Sequence, residues 1–151
     1  MQGAVAATAV PLQYPRGLAT ARDGTTYVAD TANSVVRRIA RDGSVTTIAG
    51  TGRPGALGDG GAATAASVEI PGGIAVDGAG NVFVGELDAG RIRRIDGATG
   101  IITTIAGTGT QAYAGDGGPA SAASLSAPQG LAVDGLGNLV IADSYNNRVR
   151  R

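Results

Sequence analysis

Short runs rich in valine, isoleucine and threonine alternate along the chain with clusters of glycine, aspartate and asparagine. In the middle of the chain four such runs follow one another, at residues 73–76, 81–84, 91–95 and 101–105. Runs of this length, bounded by turn residues, predict short antiparallel strands joined as hairpins. The second run contains the wholly apolar stretch VFV at 82–84, which predicts a strand buried on both faces of its sheet.

This group of four runs is part of an internal repeat. Residues 71–94 read PGGIAVDGAGNVFVGELDAGRIRR, and residues 128–151 read PQGLAVDGLGNLVIADSYNNRVRR, at a shift of 57. A further copy begins at Pro15, and the loops before the second and third copies repeat as TTIAGTGRPGALGDGG from Thr46 and TTIAGTGTQAYAGDGG from Thr103. Four-stranded units that repeat this closely predict the blades of a β-propeller, and a β-sandwich fits such a repeat poorly.

The repeat predicts an all-β chain of β-propeller blades with four antiparallel strands each, two full repeats and most of a third. Residues 1–14 are expected to end an inter-blade loop, 15–70 to form blade 1 and its crossover loop, 71–127 blade 2 and its crossover loop, and 128–151 a partial blade 3 of three strands. Residues 4–10 give no clear fourth strand.

Such a partial propeller exposes blade faces and an unpaired edge, both prone to association. We expect either a fragment of a longer polypeptide or a homo-oligomer whose copies complete a ring.

Composition narrows the function classes. The 151 residues are 43% hydrophobic, with twelve basic and twelve acidic side chains, and this balance predicts neither a nucleic-acid nor an acidic partner. The chain has no histidine and no cysteine. Disulfides, thiolate or imidazole metal sites and the Ser-His-Asp and Cys-His catalytic arrangements are therefore excluded. We expect no enzyme activity and no cofactor.

The opening segment MQGAVAATAV has no basic residue and reaches Pro11 within a few positions. It predicts neither a signal peptide nor a membrane span. These residues do not indicate a cellular compartment.

Several separated motifs recur in register: P-x-G-[LI]-A-V-D-x-x-G-N, A-D-[TS]-x-N, R-[IV]-R-R-I and T-T-I-A-G-T-G. Their combination resembles the NHL-repeat family of β-propellers, above all the long-loop repeats of bacterial multi-blade proteins and of teneurin-type cell-surface proteins. The resemblance implies a structural and protein-binding scaffold, with a protein or the remaining blades of a longer chain as partner. It also implies an extracytoplasmic or cell-surface location. Departures at Ala21, Thr25 and residues 85–89 change turn chemistry and leave the strand pattern intact.

Enzymes among the relatives supply the alternative hypothesis. The amidating and virginiamycin-type lyases use histidine-containing channel sites, which this chain cannot match. Gluconolactonase propellers hold a divalent cation with carboxylate and amide oxygens. The alternative is therefore part of a metal-dependent hydrolase or lyase with its metal at the ring axis, and Asp77 and Asp134 are the candidate ligands. The simpler interpretation is that both aspartates form turns with the glycines and asparagines that follow them.

Two glycine-rich features resemble ligand-binding motifs, one for a dinucleotide and one for calcium. Gly50-Thr51-Gly52-Arg53-Pro54-Gly55 fits the G-x-G-x-x-G pattern of dinucleotide-binding loops, but Pro54 and the glycines at 55, 58, 60 and 61 oppose the helix that such a loop must open. We interpret the segment as a crossover between blades. The GDGG sequences at 58–61 and 115–118 carry one carboxylate each, too few for calcium, and predict Asx-type turns.

Three acids occupy one position in the repeat, directly after the second strand: Asp30, Glu86 and Asp143. We expect them to be structural, anchoring the next turn and pairing with an arginine of the third strand. Binding residues are sought among non-repeated loop positions that can supply contact energy. Four such positions lie in the crossover loops and in the loops between second and third strands, which share one face of a propeller: Arg53, Asp88, Tyr113 and Tyr145.

Overall fold

The computed structural model of the protein describes residues 5–151, and its strands form three antiparallel sheets. The first sheet has the order β1-β5-β4-β3-β2, the second β6-β7-β8-β9 and the third β10-β11-β12. The strand bounds are β1 Val5–Ala6, β2 Pro15–Thr20, β3 Thr26–Asp30, β4 Val35–Ile39, β5 Ser44–Ala49, β6 Pro71–Val76, β7 Val82–Glu86, β8 Arg91–Ile95, β9 Ile102–Ala106, β10 Pro128–Val133, β11 Leu139–Asp143 and β12 Arg148–Arg150. The predicted all-β blade architecture is confirmed.

The sheets are arranged as neighbouring blades, which we number 1 to 3 in chain order. The first strands of the blades, β2, β6 and β10, pack side by side and therefore form the inner edge of the propeller segment. Three-residue 3-10 helices lie in the segments that lead into each blade, at Ala7–Ala9, Ala63–Ala65 and Ala120–Ala122. Within residues 5–151 no helical segment has the length and apolar character needed to span a bilayer.

The hydrophobic core is divided between the two blade interfaces. The interface of blades 1 and 2 buries, among others, Val36, Ile74, Val84 and Ile102. The interface of blades 2 and 3 buries a smaller set that includes Phe83 and Ile92. Successive side chains of a strand point to opposite faces, so β7 contributes Val84 to the first interface and Phe83 to the second.

Burial of the second strand depends on the position of the blade. All five residues of β7 are buried, whereas β3 and β11 are buried only in part. The expectation of burial on both faces therefore holds for the middle blade. The outer faces of blades 1 and 3 have no neighbour within residues 5–151, so alternate side chains of β2 and β10 are exposed.

The N-terminal segment adds a short fifth strand to blade 1. Val5 pairs with Val45 and Ala6 pairs with Ser44 on the outer edge of β5. The matching segment of blade 2 makes a single antiparallel bridge between Ala62 and Ile101. In both blades the segment that leads into the inner strand thus contacts the outer edge of the fourth strand. Sequence reasoning left this undecided for residues 4–10, and residue 4 lies outside the described residues.

Candidate functional site

Each blade buries one carboxylate at the end of its second strand, beside an arginine of its third strand. The three acids are fully buried. The distances are 3.1 Å from Asp30 Oδ2 to Arg37 Nε, 3.2 Å from Glu86 Oε1 to Arg93 Nη1 and 3.3 Å from Asp143 Oδ2 to Arg150 Nη1. Buried ion pairs need further hydrogen bonds to offset desolvation of the two charges, so the other partners of these groups decide their role.

The carboxylates also hold the chain that enters the inner strand. A main-chain N–H two residues before the first proline of each blade donates to the acid: Gln13 to Asp30 at 2.8 Å, Glu69 to Glu86 at 3.1 Å and Ser126 to Asp143 at 2.7 Å. The next residue along the chain has a positive φ in all three blades, at Tyr14, Ile70 and Ala127. A non-glycine residue in this conformation is strained, and the acid's hydrogen bond helps to hold it there.

In blades 2 and 3 the arginine extends from its acid to the crossover loop of the preceding blade. Arg93 Nη2 lies 2.8 Å from Asp59 Oδ1, and Arg150 Nη2 lies 2.7 Å from Asp116 Oδ1. Arg93 also donates to the main-chain oxygens of Leu57 and Ser67. We call each set of buried acid, arginine and loop aspartate an arginine clamp. The GDGG aspartates thus pair with arginine, which replaces the Asx-turn interpretation.

The raised pKa of Glu86 makes the free energy of unfolding depend on pH. Burial raises the pKa of Glu86 to about 7 from its ordinary value of 4.5, against the opposing effect of Arg93. Between these two pH values the folded chain binds more protons at Glu86 than the unfolded chain, so the free energy of unfolding falls as the pH rises.

We therefore expect the free energy of unfolding to fall by up to about 3 kcal/mol as the pH rises from 4.5 to 7, and then to level off. Urea unfolding across this range, followed by circular dichroism, measures the slope. The variant Glu86→Gln, which cannot titrate at this position, should flatten it. A slope that is unchanged in the variant would contradict the assignment.

The first turns of blades 2 and 3 occupy the candidate metal ligands. Asp77 Oδ1 accepts the main-chain N–H groups of Ala79 and Asn81, both at 2.9 Å, and Asp77 Oδ2 accepts the Asn81 amide at 2.7 Å. Asp134 makes the same contacts in blade 3, and the hydrogen bonds from Asn138 lower the pKa of Asp134. Within the described chain no three acidic side chains gather in an arrangement that could hold a metal ion.

The G-x-G-x-x-G segment is an inter-blade crossover loop. Gly50, Gly52 and Gly55 all have positive φ, and the loop continues into the 3-10 helix Ala63–Ala65. The loop contacts the outer strand of blade 2, where Gly60 N–H donates to Ile102 O at 2.8 Å. Its glycines therefore shape a close passage over the neighbouring blade.

Three of the four proposed binding residues lie around one junction of loops. The Gln111 amide donates to Asp88 O at 2.8 Å, and the Asn146 amide donates to Ala112 O at 2.8 Å. These bonds join the crossover loop that contains Tyr113 to the loops that contain Asp88 and Tyr145. Arg53 lies exposed in the preceding crossover loop. We call the face formed by these loops the crossover face.

Tyr113 is held in a fixed position although 47% of it is exposed. Its hydroxyl donates to Asp116 Oδ2 at 2.6 Å, and this bond raises the pKa of Tyr113. The Arg148 guanidinium lies 4.0 Å from the ring centroid, a favourable cation–π distance. Tyr145, 72% exposed, follows in the neighbouring loop.

Asp116 and Arg148, the two partners of Tyr113, could not be predicted as binding residues from the sequence. Only residues without a counterpart in the other repeats were considered for binding, and Asp116 and Arg148 have counterparts in the preceding repeat, at Asp59 and Arg91. The signal that could have found Asp116 is its separation of three residues from an unmatched tyrosine.

Known proteins were compared with the chain by sequence and by structure. The family models for the teneurin NHL domain and the NHL repeat match residues 51–114 and 125–151. Teneurin-1 of Mus musculus is 34% identical over 164 aligned residues, which include 95% of this chain. The chain spans 6% of the length of this curated relative.

Solved structures share the fold. A protein of unknown function from Bacteroides thetaiotaomicron superposes with a TM-score of 0.75 at 26% identity, over 84% of this chain and 32% of that chain. Virginiamycin B lyase from Staphylococcus aureus superposes with a TM-score of 0.60 at 17% identity, over 93% of this chain and 38% of that chain, a likeness in fold alone. A form of that lyase in which alanine replaces a histidine is catalytically inactive.

The repeated motifs, the blade topology and the two family matches agree with one another. The chain belongs to the NHL-repeat family of β-propellers.

Proposed function

We propose that the chain is a non-enzymatic propeller segment that binds a protein partner through its crossover face. The observation that carries the proposal is the fixed tyrosine at the loop junction. Tyr113 is anchored by Asp116 and Arg148 yet remains half exposed. An aromatic side chain that is already ordered loses little conformational entropy on binding, and tyrosine is enriched among residues that dominate interface energies.

The chemistry of the surrounding loops supports a protein as the partner. Tyr145 adds a second exposed aromatic side chain, and Asp88 and Arg53 add charges of opposite sign on the same face. A mixture of aromatic, basic and acidic groups is typical of protein interfaces, whereas a nucleic-acid site needs an excess of basic groups.

The carboxylates that could have bound a metal ion are already occupied by hydrogen bonds and ion pairs, which supports a binding function over a metal-dependent reaction. Asp77 and Asp134 accept hydrogen bonds within their own turns, and the three buried acids pair with arginines. The chain also has no histidine, the residue whose replacement inactivates the structurally similar lyase. In the part of the chain that the structure describes, residues 5–151, no cluster of acidic side chains favours the hydrolase or lyase alternative.

Selection from a peptide library displayed on phage tests the proposal. We expect enriched peptides to bind the wild-type chain and to lose about tenfold or more in affinity with the double variant Tyr113→Ala, Tyr145→Ala, because truncating an interface tyrosine costs on the order of 1–2 kcal/mol. Isothermal titration calorimetry measures both affinities.

The matched control is Leu136→Ala, which removes a side chain that is 87% exposed in the turn between β10 and β11, on the opposite face. It should leave peptide binding within about twofold of wild type. Peptides that bind the double tyrosine variant as tightly as the wild type, or a library that yields no binder, would contradict a binding crossover face.

A further inference from the structure

The buried acid of blade 2 has one hydrogen-bond donor fewer than the acids of blades 1 and 3. In those two blades the second carboxylate oxygen accepts from an asparagine three residues further along the chain: Asn33 to Asp30 Oδ2 at 2.8 Å and Asn146 to Asp143 Oδ2 at 2.9 Å. Blade 2 has Ala89 at this position. Within residues 5–151, Glu86 Oε2 is buried and has no hydrogen-bond partner. The middle blade therefore lacks the donor that its neighbours supply.

The arginine beside Glu86 also makes different contacts, because glutamate is one methylene longer than aspartate. In blade 1, Arg37 Nε lies 3.1 Å from Asp30 Oδ2, and Arg37 Nη1 donates to the hydroxyl of Thr47. The corresponding atoms of blade 2 are buried and have no partner in the described chain: Glu86 Oε2, Arg93 Nε and Thr104 Oγ1. Two contacts that satisfy buried polar atoms in blade 1 are therefore missing from blade 2.

The charges around Glu86 do not compensate for the missing donor. Arg93 Nη1 lies 3.2 Å from Glu86 Oε1, but Nη2 of the same guanidinium lies 2.8 Å from Asp59 Oδ1, so two carboxylates share one cation. Glu69 contributes its main-chain N–H, and Arg91 attracts the ionised form more weakly than Arg93. Burial raises the pKa of Glu86 to about 7 in spite of these attractions. Glu86 therefore changes its charge near neutral pH while one of its oxygens has no donor.

The loop that follows Glu86 connects this carboxyl to the crossover face. Leu87 is buried, and its N–H donates to Ile70 O at 3.2 Å. Asp88 O accepts the Gln111 amide at 2.8 Å, in the crossover loop that supplies the fixed tyrosine. A displacement of the loop after Glu86 therefore breaks contacts that position the crossover face.

We propose that Glu86 is a pH-sensitive switch whose loss of a proton opens the loop of residues 86–90 and weakens partner binding at the crossover face. The ionised carboxylate places charge on a buried oxygen that has no donor, and opening of the loop admits water to it. The neutral carboxyl has a smaller desolvation cost, so the loop is closed at acidic pH. Blade 2 has a neighbour on each face, so the switch does not depend on the outer faces of blades 1 and 3. The effect on binding rests on the proposed function, whereas the opening of the loop does not.

Hydrogen exchange of the free chain at pH 5.5 and pH 8, followed by mass spectrometry, tests the opening. Protection factors, which remove the intrinsic pH dependence of exchange, should fall at residues 86–90 by up to about 30-fold as the pH rises. This factor follows from a pKa of about 7 in the closed loop and an ordinary value of 4.5 in water. The matching loops of blades 1 and 3, at residues 30–34 and 143–147, have the asparagine donor and should keep their protection factors. Equal losses in all three loops, or no loss in blade 2, would overturn the proposal.

Two variants of blade 2 identify the group that titrates. Glu86→Gln cannot ionise, and the double variant Glu86→Asp, Ala89→Asn restores the pair found in the other blades. Both should keep the loop closed, with protection factors at pH 8 within about threefold of those at pH 5.5. The matched control is Ala79→Asn, which adds the same amide in an exposed turn of the opposite face and should keep the full pH dependence. Circular dichroism checks that each variant folds. A pH dependence that survives in either Glu86 variant would count decisively against the switch.

Peptide binding at the two pH values tests the effect on the crossover face. The probe is a library-selected peptide without histidine, acetylated at its amino terminus, so that its own charge changes little. The hydrogen bond between Tyr113 and Asp116 raises the pKa of Tyr113 and lowers that of Asp116, so neither group titrates in this range. Isothermal titration calorimetry should give an affinity about threefold or more lower at pH 8, because the open loop reduces the binding-competent fraction of the chain.

The two proposals fail in different ways. Glu86→Gln should bind the peptide equally at both pH values, and a constant affinity in a wild-type chain whose loop opens would overturn the link to binding. Absence of peptide binding at both pH values would contradict the proposed function instead. Exchange in the free chain then still decides whether Glu86 opens the loop.

Discussion

Replacing Arg93 by alanine should lower the free energy of unfolding by about 3–5 kcal/mol. Arg93 is fully buried and contacts Glu86, Asp59 and the main chain of the crossover loop. Its removal leaves a buried carboxylate without its cation and releases the loop from blade 2. Urea unfolding at pH 8 measures the loss, because Glu86, with its pKa of about 7, is then mostly ionised.

The neighbouring arginine is the matched control. Arg94 pairs with Asp96 at 2.8 Å, but about a third of each side chain is exposed. Exposed ion pairs contribute about 1 kcal/mol or less, so Arg94→Ala should have a small effect. Adding Glu86→Gln to Arg93→Ala removes the unpaired charge and should restore part of the lost stability. Equal losses from the two arginine variants would show that the buried clamp does not fasten the blades.

Gly73→Ala should also destabilise the chain strongly, with a loss of about 1–3 kcal/mol or more. Gly73 lies in β6, and a methyl group there would overlap the main-chain oxygen of Gln129 in blade 3. Since the obstacle is backbone, the inner strands of blades 2 and 3 must separate to accept it. Thermal unfolding and urea titration measure the effect.

Gly78→Ala is the control for this substitution. It lies in the first turn of blade 2, where an added methyl group meets nothing within 4 Å. We expect a change within about 0.5 kcal/mol. If Gly73→Ala is equally harmless, the inner strands do not pack as closely as the structure places them.

The repeat made the blade architecture predictable from sequence. Periodic apolar runs and Asp-Gly turns are local signals, and the third strand of blade 2, predicted at 91–95, is observed as Arg91–Ile95. The inner strand of the same blade begins earlier than predicted, at Pro71, because its first residues pair with the end of β7. That pairing is a tertiary contact that local patterns do not encode.

The arginine clamp was only half predictable. The acid and arginine share a blade and a fixed spacing, so their pairing follows from strand geometry. Asp59 joins them from the preceding blade, across a crossover loop whose path depends on its own contacts with β9. Contacts that depend on the path of a loop also include the bond from Tyr113 to Asp116 and the pairing of Val5 and Ala6 with β5, and the sequence predicted neither of them.

Hydrogen exchange on the complex with a library-selected peptide tests the central claim most directly, because it shows which face of the propeller segment the partner covers. The account predicts slower exchange in residues 86–90, 108–114 and 144–148, the loops around Tyr113 on the crossover face. Residues 77–81 and 134–138, on the opposite face, should exchange as in the free chain. Slower exchange confined to those opposite turns would contradict the account.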